Sequence, residues 1–563
     1  MKVFLKGSGE ILLDQKHFVA SGGEGSVYAK GNTAYKIYTD SARMLPLGKI
    51  TELSSITDPN IIVPQGILLD PKTGTPIGYT MRFVTGTYPL IQTLTPAFRD
   101  REGLSHAKML KLVLKLRGLT ETCHKAGVLI VDLNEMNFLI DKGFSEVYGI
   151  DTDSYQTKSY PATAIMPSIR DPKVQGHAWT EGSDWFSFAC VAYQMFTGIH
   201  PFKGKHPSVS GLEARMKAGI SVFDSSVTVP KTVYPKDVIP PGYRAWFKAV
   251  LQDGLRLPPP VDPGTFVVAA ITTRTIMGGN ALDIAEVRVF QDALVGALDH
   301  DKSVVGITRD GVWEDGRLLF SLSGAKSVGF SSKLSHTIIG WTEKGGIKLY
   351  DASVGKTLTF DMAADAFSSY AGRFYFRSGE TVYEIILDSI GGTTLPSARA
   401  VANVSEYATT LWSGALIQEL LGSVFVSVFP RAGMSYQLRI PELDKYTIVD
   451  ARYDGRVLMV VGAQKGRGVY DRLVFVLSEN FDSYVKLPEV RDITPSGLNF
   501  VVLDNGTCAH ITEAEKLEIW NVSAPAKVRV VEDPVLGGDL NLMKLGGRVG
   551  FYRGNKVFSL RLK

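Results

Sequence analysis

At 563 residues the chain exceeds one ordinary domain, and a hydrophobic content of 45% supplies full cores and argues against extensive disorder. A net charge of +4 over that length gives no reason to expect nucleic acid or an acidic membrane as a partner. Three widely spaced cysteines, Cys123, Cys190 and Cys508, point to a reducing compartment without a zinc site; with too short an initial apolar run for a signal peptide and no run of about eighteen apolar residues, a cytoplasmic protein with no membrane span is expected.

The first informative segment is Ala20-Ser21-Gly22-Gly23-Glu24-Gly25-Ser26-Val27-Tyr28. Glycines here let backbone N–H groups approach phosphate oxygens with no Cβ in the way, although an isolated run of this kind also reads as an ordinary hairpin turn. Thr33-Ala34-Tyr35-Lys36-Ile37 follows a tight turn at Gly31-Asn32, and its alternation predicts a hairpin strand. Leu47 to Ile56 predicts a short helix ahead of Asp58-Pro59-Asn60-Ile61-Ile62. Ala107 to His124 spaces Met109, Leu110, Val113, Leu114, Leu116 and Leu119 by three and four residues or their combinations, which makes one apolar helical face.

Asp132-Leu133-Asn134-Glu135-Met136-Asn137 then sets an acid and an amide five residues apart, on a loop before the apolar strand Phe138-Leu139-Ile140. A second strand, Val147–Ile150, closes on Asp151-Thr152-Asp153. An acid that positions a hydroxyl, an amide that holds a metal and a second acid that holds a metal are what phosphoryl transfer from ATP requires. Gly182-Ser183-Asp184-Trp185-Phe186 opens a further helix running toward Gly198-Ile199-His200-Pro201-Phe202. A last helix near Trp246–Leu251 ends at Arg256-Leu257-Pro258-Pro259.

In this order the segments resemble the protein-kinase superfamily from about Val19 to Pro259, nearly half of the chain, and are similar to its divergent bacterial and phage branches. The resemblance implies a bilobal kinase-like fold using ATP and Mg²⁺. Gly22, Gly23, Gly25 and Val27 would form the phosphate loop, with Ala20 in place of its first glycine. Lys36 would grip the α- and β-phosphates. Met81 would be the gatekeeper, and the backbone of Arg82 and Val84 would meet the adenine edge. Asp132 would be the catalytic aspartate that orients the acceptor hydroxyl, Asn137 and Asp151 the metal ligands, with Asp153 as the alternative or second metal acid. Asp184 would be structural, bonding the catalytic-loop backbone. Lys49 falls where the family has the glutamate that pairs with its lysine, and Glu52, one turn on, is the candidate partner of Lys36.

The chain also departs from the family. Ile130-Val131 replaces the His-Arg lead-in, Asn134 replaces a lysine, and Met166-Pro167-Ser168 is the nearest remnant of Ala-Pro-Glu. Two functions follow as expectations: a serine/threonine-protein kinase, or a pseudokinase scaffold that binds nucleotide or partners without catalysis.

Beyond the proline cluster Pro258–Pro263 the character changes to short apolar strands separated by Gly, Asp and Asn turns. Examples are Ser303–Ile307, Thr337–Trp341, Ile347–Asp351, Val457–Val461, Leu473–Leu477, Leu498–Leu503 and Val557–Leu562. A recurrence of roughly 40 to 50 residues predicts a six- or seven-bladed β-propeller rather than a pair of β-sandwiches, with Val557–Leu562 closing the ring. The expected fold class is therefore multidomain α+β: a kinase-like N-lobe at 1–86, a C-lobe at 87–262, a linker at 263–280 and the all-β domain at 281–563. That domain carries no cluster of catalytic residue types and is read as a platform recruiting a protein substrate or complex partner.

Overall fold

The computed structural model describes residues 1–22, 24–162, 165–260, 281–301, 303–495 and 497–563. Gly23 and the linker expected at 263–280 lie outside the described residues. Among those residues no helix is long and apolar enough to cross a membrane.

The chain opens with a seven-stranded antiparallel sheet built from β1 (Lys2–Leu5), β2 (Gly9–Leu12), β3 (Phe18–Ser21), β4 (Gly25–Lys30), β5 (Thr33–Tyr38), β6 (Ile67–Leu69) and β7 (Pro76–Arg82), in the order β2-β1-β6-β7-β5-β4-β3. Gly31 turns at φ +59° between Lys30 and its partner Thr33, so the β4–β5 hairpin needs only two loop residues. β5 is nearly fully buried, more than its alternation suggests. Tyr35 and Ile37 pack outward on Val3, Leu13 and Leu68, because β1 and β2 close that face. Lys36 and Tyr38 point to the other side, as period-2 geometry demands. A seven-residue helix, α1 (Leu47–Leu53), presents Lys49, Ile50 and Leu53 inward.

The second layer is mainly helical. It comprises α2 (Pro96–Glu102), α3 (His106–Lys125), α4 (Glu181–Thr197), α5 (Leu212–Ala218) and α6 (Pro241–Phe247), which runs on into a π-helical turn. A small sheet of β8 (Thr87–Pro89), β9 (Phe138–Asp141) and β10 (Val147–Gly149) lies beside them. Ser105 caps α3 by accepting the Lys108 N–H at 3.3 Å. The buried face of α3 is Met109, Leu112, Val113, Leu116, Leu119, Thr120 and Cys123. Leu110 and Leu114, expected on that face, sit at its edge and are only partly buried; the stripe turns with the 3.6-residue period toward Leu112 instead. α4 is buried almost all round. Arg256 forks onto Asp171, with both nitrogen–oxygen distances at 2.6 Å, and ties the end of this layer to the segment before α4.

The C-terminal half is all β. Among the described residues, seven four-stranded antiparallel sheets follow one another along the chain. Six use four consecutive strands each, while the last takes its three strands from Asn541–Leu562 and its fourth from the start of the region. Strand Lys556–Leu562 pairs with Leu282–Val289, so the first and last strands of this half share a sheet. The strand expected at Leu498–Leu503 is confined to Phe500–Val502. Asn499 leaves the ladder because its side chain bonds the Leu540 carbonyl and the Leu542 N–H, at 2.5 and 2.8 Å.

The two halves share a core. In the sheet spanning Tyr446–Lys486, Leu458, Val460, Leu473 and Phe475 join Val424 and Val426 of the neighbouring sheet. The alternate residues Val457, Met459, Val461, Tyr470, Val474 and Val476 belong instead to one apolar cluster that continues through Phe500 and Trp520 and into α3 and α4. Edge-to-face contact of Phe83 with Tyr407, centroids 5.1 Å apart, and the Arg101 guanidinium 6.0 Å from the Trp412 ring add further joints.

Candidate active site

Lys36 stands between Val27 and Tyr79 across the ladder, so all three side chains share the inner face of the sheet. Its ammonium lies 2.8 Å from Asp151 Oδ1 and 2.7 Å from Asp153 Oδ2, residues more than 110 positions away. Glu24, in the glycine-rich loop, reaches to 3.7 Å. Burial alone would lower the Lys36 pKa, but the two carboxylates outweigh it and hold the ammonium above its ordinary value.

The two acids differ. Asp153 is 3% exposed at its side chain, donates nothing, and accepts from Lys36 and the Tyr38 hydroxyl. Burial opposes its charge, yet Lys36 and the hydroxyls of Tyr38 and Tyr79 keep its carboxyl below the usual range. Its second oxygen, Oδ1, is buried without a hydrogen-bond partner. Asp151 is 45% exposed and sits in the left-handed region at φ +60°, ψ +35°. Enclosure by the cleft walls pushes the Asp151 carboxyl up to about 6, against the pull of Lys36. A non-glycine residue at positive φ is held there only by its surroundings, which is a mark of functional sites.

Asn137 joins this group through backbone and side chain. The Ile150 N–H, next to Asp151, donates to the Asn137 carbonyl at 2.9 Å. The Asn137 amide donates to Asp132 Oδ2 at 3.2 Å and to the Asp132 carbonyl at 3.0 Å. Asp132 Oδ1 accepts the Met166 N–H at 2.8 Å, and burial raises its carboxyl above the ordinary value. Asp184, at the start of α4, accepts from the Ile130 and Val131 N–H groups at 2.8 and 2.9 Å and meets His124 Nε2 at 2.9 Å. Those two bonds hold Val131, a β-branched residue, at φ +61° just before Asp132. Lys36 and Asp151 thus form one bonded pair, Asp132 and Asn137 another, and the Ile150 N–H on the Asn137 carbonyl joins the two.

Glu52 does not reach Lys36. Its carboxylate sits at the rim of α1 and accepts the Ser159 N–H at 3.1 Å. Lys49 takes the inward position, and a second ammonium could not pair with Lys36 there. It donates instead to the Asp153 carbonyl at 2.7 Å. The partner of Lys36 therefore comes from the segment after β10, and α1 grips that segment by its backbone. Lys49 was placed by its position but given no role, and Tyr38 and Tyr79 were not singled out in the sequence. For Tyr38 the signal was available, since it lies two residues from Lys36 on the same face.

The remaining residues lie around the mouth. Gly22 and Gly25 bracket the β3–β4 turn, closed by the Gly22 N–H on the Gly25 carbonyl at 2.9 Å. They do different work. A Cβ on Gly25 would overlap the Ile37 carbonyl, whereas one on Gly22 would meet nothing within 4 Å. Gly25→Ala is expected to lower stability by about 1–3 kcal/mol through overpacking against backbone, and Gly22→Ala by less than about 0.5 kcal/mol; urea midpoints of the two variants check the contrast. Met81 and Arg82 end β7, with Met81 partly buried against the core and Arg82 opposite Thr33. Val84 follows in the connector to β8.

Among the described residues no group of three or more His, Cys, Asp or Glu forms a ready metal cage. Mg²⁺ does not need one, because it keeps waters and phosphate oxygens and takes one or two hard protein oxygens. Asp151 open to the cleft, the free Oδ1 of Asp153 and the Asn137 amide fit that requirement.

No family model matches the chain. Over 190 residues, 32% of the chain, it is 23% identical to a probable serine/threonine-protein kinase of Clostridium perfringens. Over 226 residues, 38% of the chain, it is 26% identical to the dual specificity protein kinase pyk3 of Dictyostelium discoideum. These matches cover 26% and 16% of the relatives' own lengths. Among solved structures it is similar to the Cydia pomonella granulovirus kinase PK-1, with a TM-score of 0.32 and 15% identity over 42% of this chain and 87% of that one. In the matched part the chain is protein-kinase-like, similar to serine/threonine kinases that include a bacterial one.

Proposed function

We propose that the chain is an ATP- and Mg²⁺-dependent kinase that phosphorylates serine or threonine in a protein. The observation that carries this reading is the linkage of Lys36, Asp132, Asn137 and Asp151, from three separate segments, through one chain of hydrogen bonds. Asp132 orients the acceptor hydroxyl and takes its proton. Lys36 holds the α- and β-phosphates, and Gly22 and Gly25 let the loop backbone close over them. Asn137 and Asp151 hold Mg²⁺, which supplies charge neutralisation at the phosphate oxygens. Catalysis of this kind is positioning and electrostatics, so few residues suffice.

In this reading the lobes at 1–86 and 87–262 flank the cleft, and the all-β half at 281–563 is a seven-bladed propeller. Seven consecutive four-stranded sheets support it, as does the sharing of one sheet by the first and last strands, which removes the open edges. Its faces away from the kinase half recruit a protein partner.

A second reading, a pseudokinase scaffold, is favoured by one observation: Asp132 Oδ1 is already taken by the Met166 N–H. Two measurements separate them. ATP with Mg²⁺ should raise the melting temperature of the full chain in either case, by ligand linkage. Transfer of labelled γ-phosphate to a generic serine-rich protein is expected for the kinase alone. A shift without transfer selects the scaffold, and the absence of both removes the nucleotide reading.

A further inference from the structure

Between Asp132 and Asn137 lies an acid with no part in phosphoryl transfer. Glu135 is 3% exposed. A carboxylate so deep in the protein is costly unless it is hydrogen-bonded. Its donor comes from the other half of the chain, 335 residues away: the phenol of Tyr470, itself 2% exposed, donates to Glu135 Oε1. The same phenol oxygen accepts from Gln194 Nε2 of α4 at 3.3 Å. The Glu135 carbonyl accepts the Ile91 N–H at 3.1 Å, so the loop is held at both ends of this residue.

Tyr470 is fixed in turn. The Ile493 N–H donates to the Tyr470 carbonyl at 2.8 Å. Lys203, after α4, donates to the Ile493 carbonyl at 2.9 Å and pairs with Asp492 at 2.8 Å, with its ammonium 5.5 Å from the Tyr470 ring. Two residues before Tyr470, Gly468 turns at φ +62° directly against Met166 and Ser168, where a Cβ would overlap the Ser168 hydroxyl. Met166 is the residue whose N–H rests on Asp132. One turn of the β half therefore touches the loop that carries Asp132 and Asn137 and also the segment that covers Asp132.

We propose that Tyr470 is a positioning residue for phosphoryl transfer, and that this sheet of the β half is a working part of the active site. The proposal rests on the kinase reading. Tyr470 acts through Glu135 on the spacing between the Asp132 carboxylate and the Asn137 amide. It does not touch the nucleotide side of the cleft, where Lys36 and Asp151 lie.

The test is Tyr470→Phe in the full chain, which keeps the ring and removes the hydroxyl. Loss of a buried bond to a charged group is expected to lower kcat about tenfold, with the KM for ATP and the ATP–Mg²⁺ melting shift within about twofold of wild type. Backbone amides of residues 129–137 should exchange with solvent about tenfold faster. Unchanged kcat and unchanged exchange overturn the proposal. If wild type transfers no phosphate, the kinase reading falls by that result alone, and the exchange rate still decides whether Tyr470 orders the loop. Should Tyr470→Phe not fold, Glu135→Gln, which keeps an acceptor, and Glu135→Met, which does not, replace it. Loop exchange and kcat should follow the acceptor, and equal values in the two variants count against the proposal.

Discussion

Asp132→Asn is expected to lower γ-phosphoryl transfer by about 10²–10⁴-fold while leaving the ATP–Mg²⁺ melting shift in place. Asparagine keeps the shape of the side chain but cannot take a proton from the acceptor hydroxyl. One of its positions becomes an N–H₂ donor, facing either the Met166 N–H or the Asn137 amide N–H, whichever then loses its acceptor. The cost to stability is about 1–3 kcal/mol, that of leaving buried donors unpaired. The wild-type rate should fall on the acid side of neutrality. Burial holds the Asp132 carboxyl above its ordinary value, so its proton returns at a higher pH than for a solvated aspartate. Measured incorporation equal to wild type would remove Asp132 from the chemistry and with it the kinase reading.

What was legible in the sequence follows the range of the interaction. The β4–β5 hairpin was visible because Gly31 and Asn32 specify a two-residue turn locally. The acid and amide of the Asp132 loop were visible because five residues of chain fix their separation. α3 was visible by its period, but choosing Leu112 over Leu110 and Leu114 for its buried face required knowing where α4 lies. The counter-charge of Lys36 was misplaced for the same reason. Glu52 and Asp153 are both acids at reasonable separations, and only the packing of α1 decides that Lys49 points inward and Glu52 toward Ser159. The bond from Tyr470 to Glu135 left no trace at all, because 335 residues separate the two and nothing local to either specifies the pairing.

This also alters how the β half is viewed. Read from the sequence, it is a free platform. In the structure two of its sheets are continuous with the apolar core under α3 and α4, which leaves its other faces for the partner proposed above. Domains joined by a large apolar contact are not expected to move freely against each other.

Lys36→Met should have the second large effect, and it should depend on pH in a defined direction. The variant leaves Asp151 and Asp153 facing each other with no ammonium between them, although Lys49 still holds the Asp153 backbone. Breaking a buried pair by removing one partner costs about 3–5 kcal/mol; Asp151 is 45% exposed, which places the loss near the lower end. In wild type the carboxyl of Asp153 is held below the unfolded-state value of about 4. Its contribution is therefore fully present above that value and is lost as pH falls through the lowered one. Asp151 runs the other way even in wild type, its carboxyl raised to about 6; without Lys36, Asp153 loses the ammonium that lowered it and its sign reverses. Two adjacent carboxylates bind a proton more tightly folded than unfolded, so the variant gains stability as pH falls from neutrality toward 4. Urea midpoints of both proteins at several pH values check this: the gap should be widest near neutral pH and should narrow toward pH 4. A gap independent of pH would mean that the three side chains do not form a charge cluster in solution. The same variant should lose the ATP–Mg²⁺ melting shift, because the cation that meets the phosphates is the one removed.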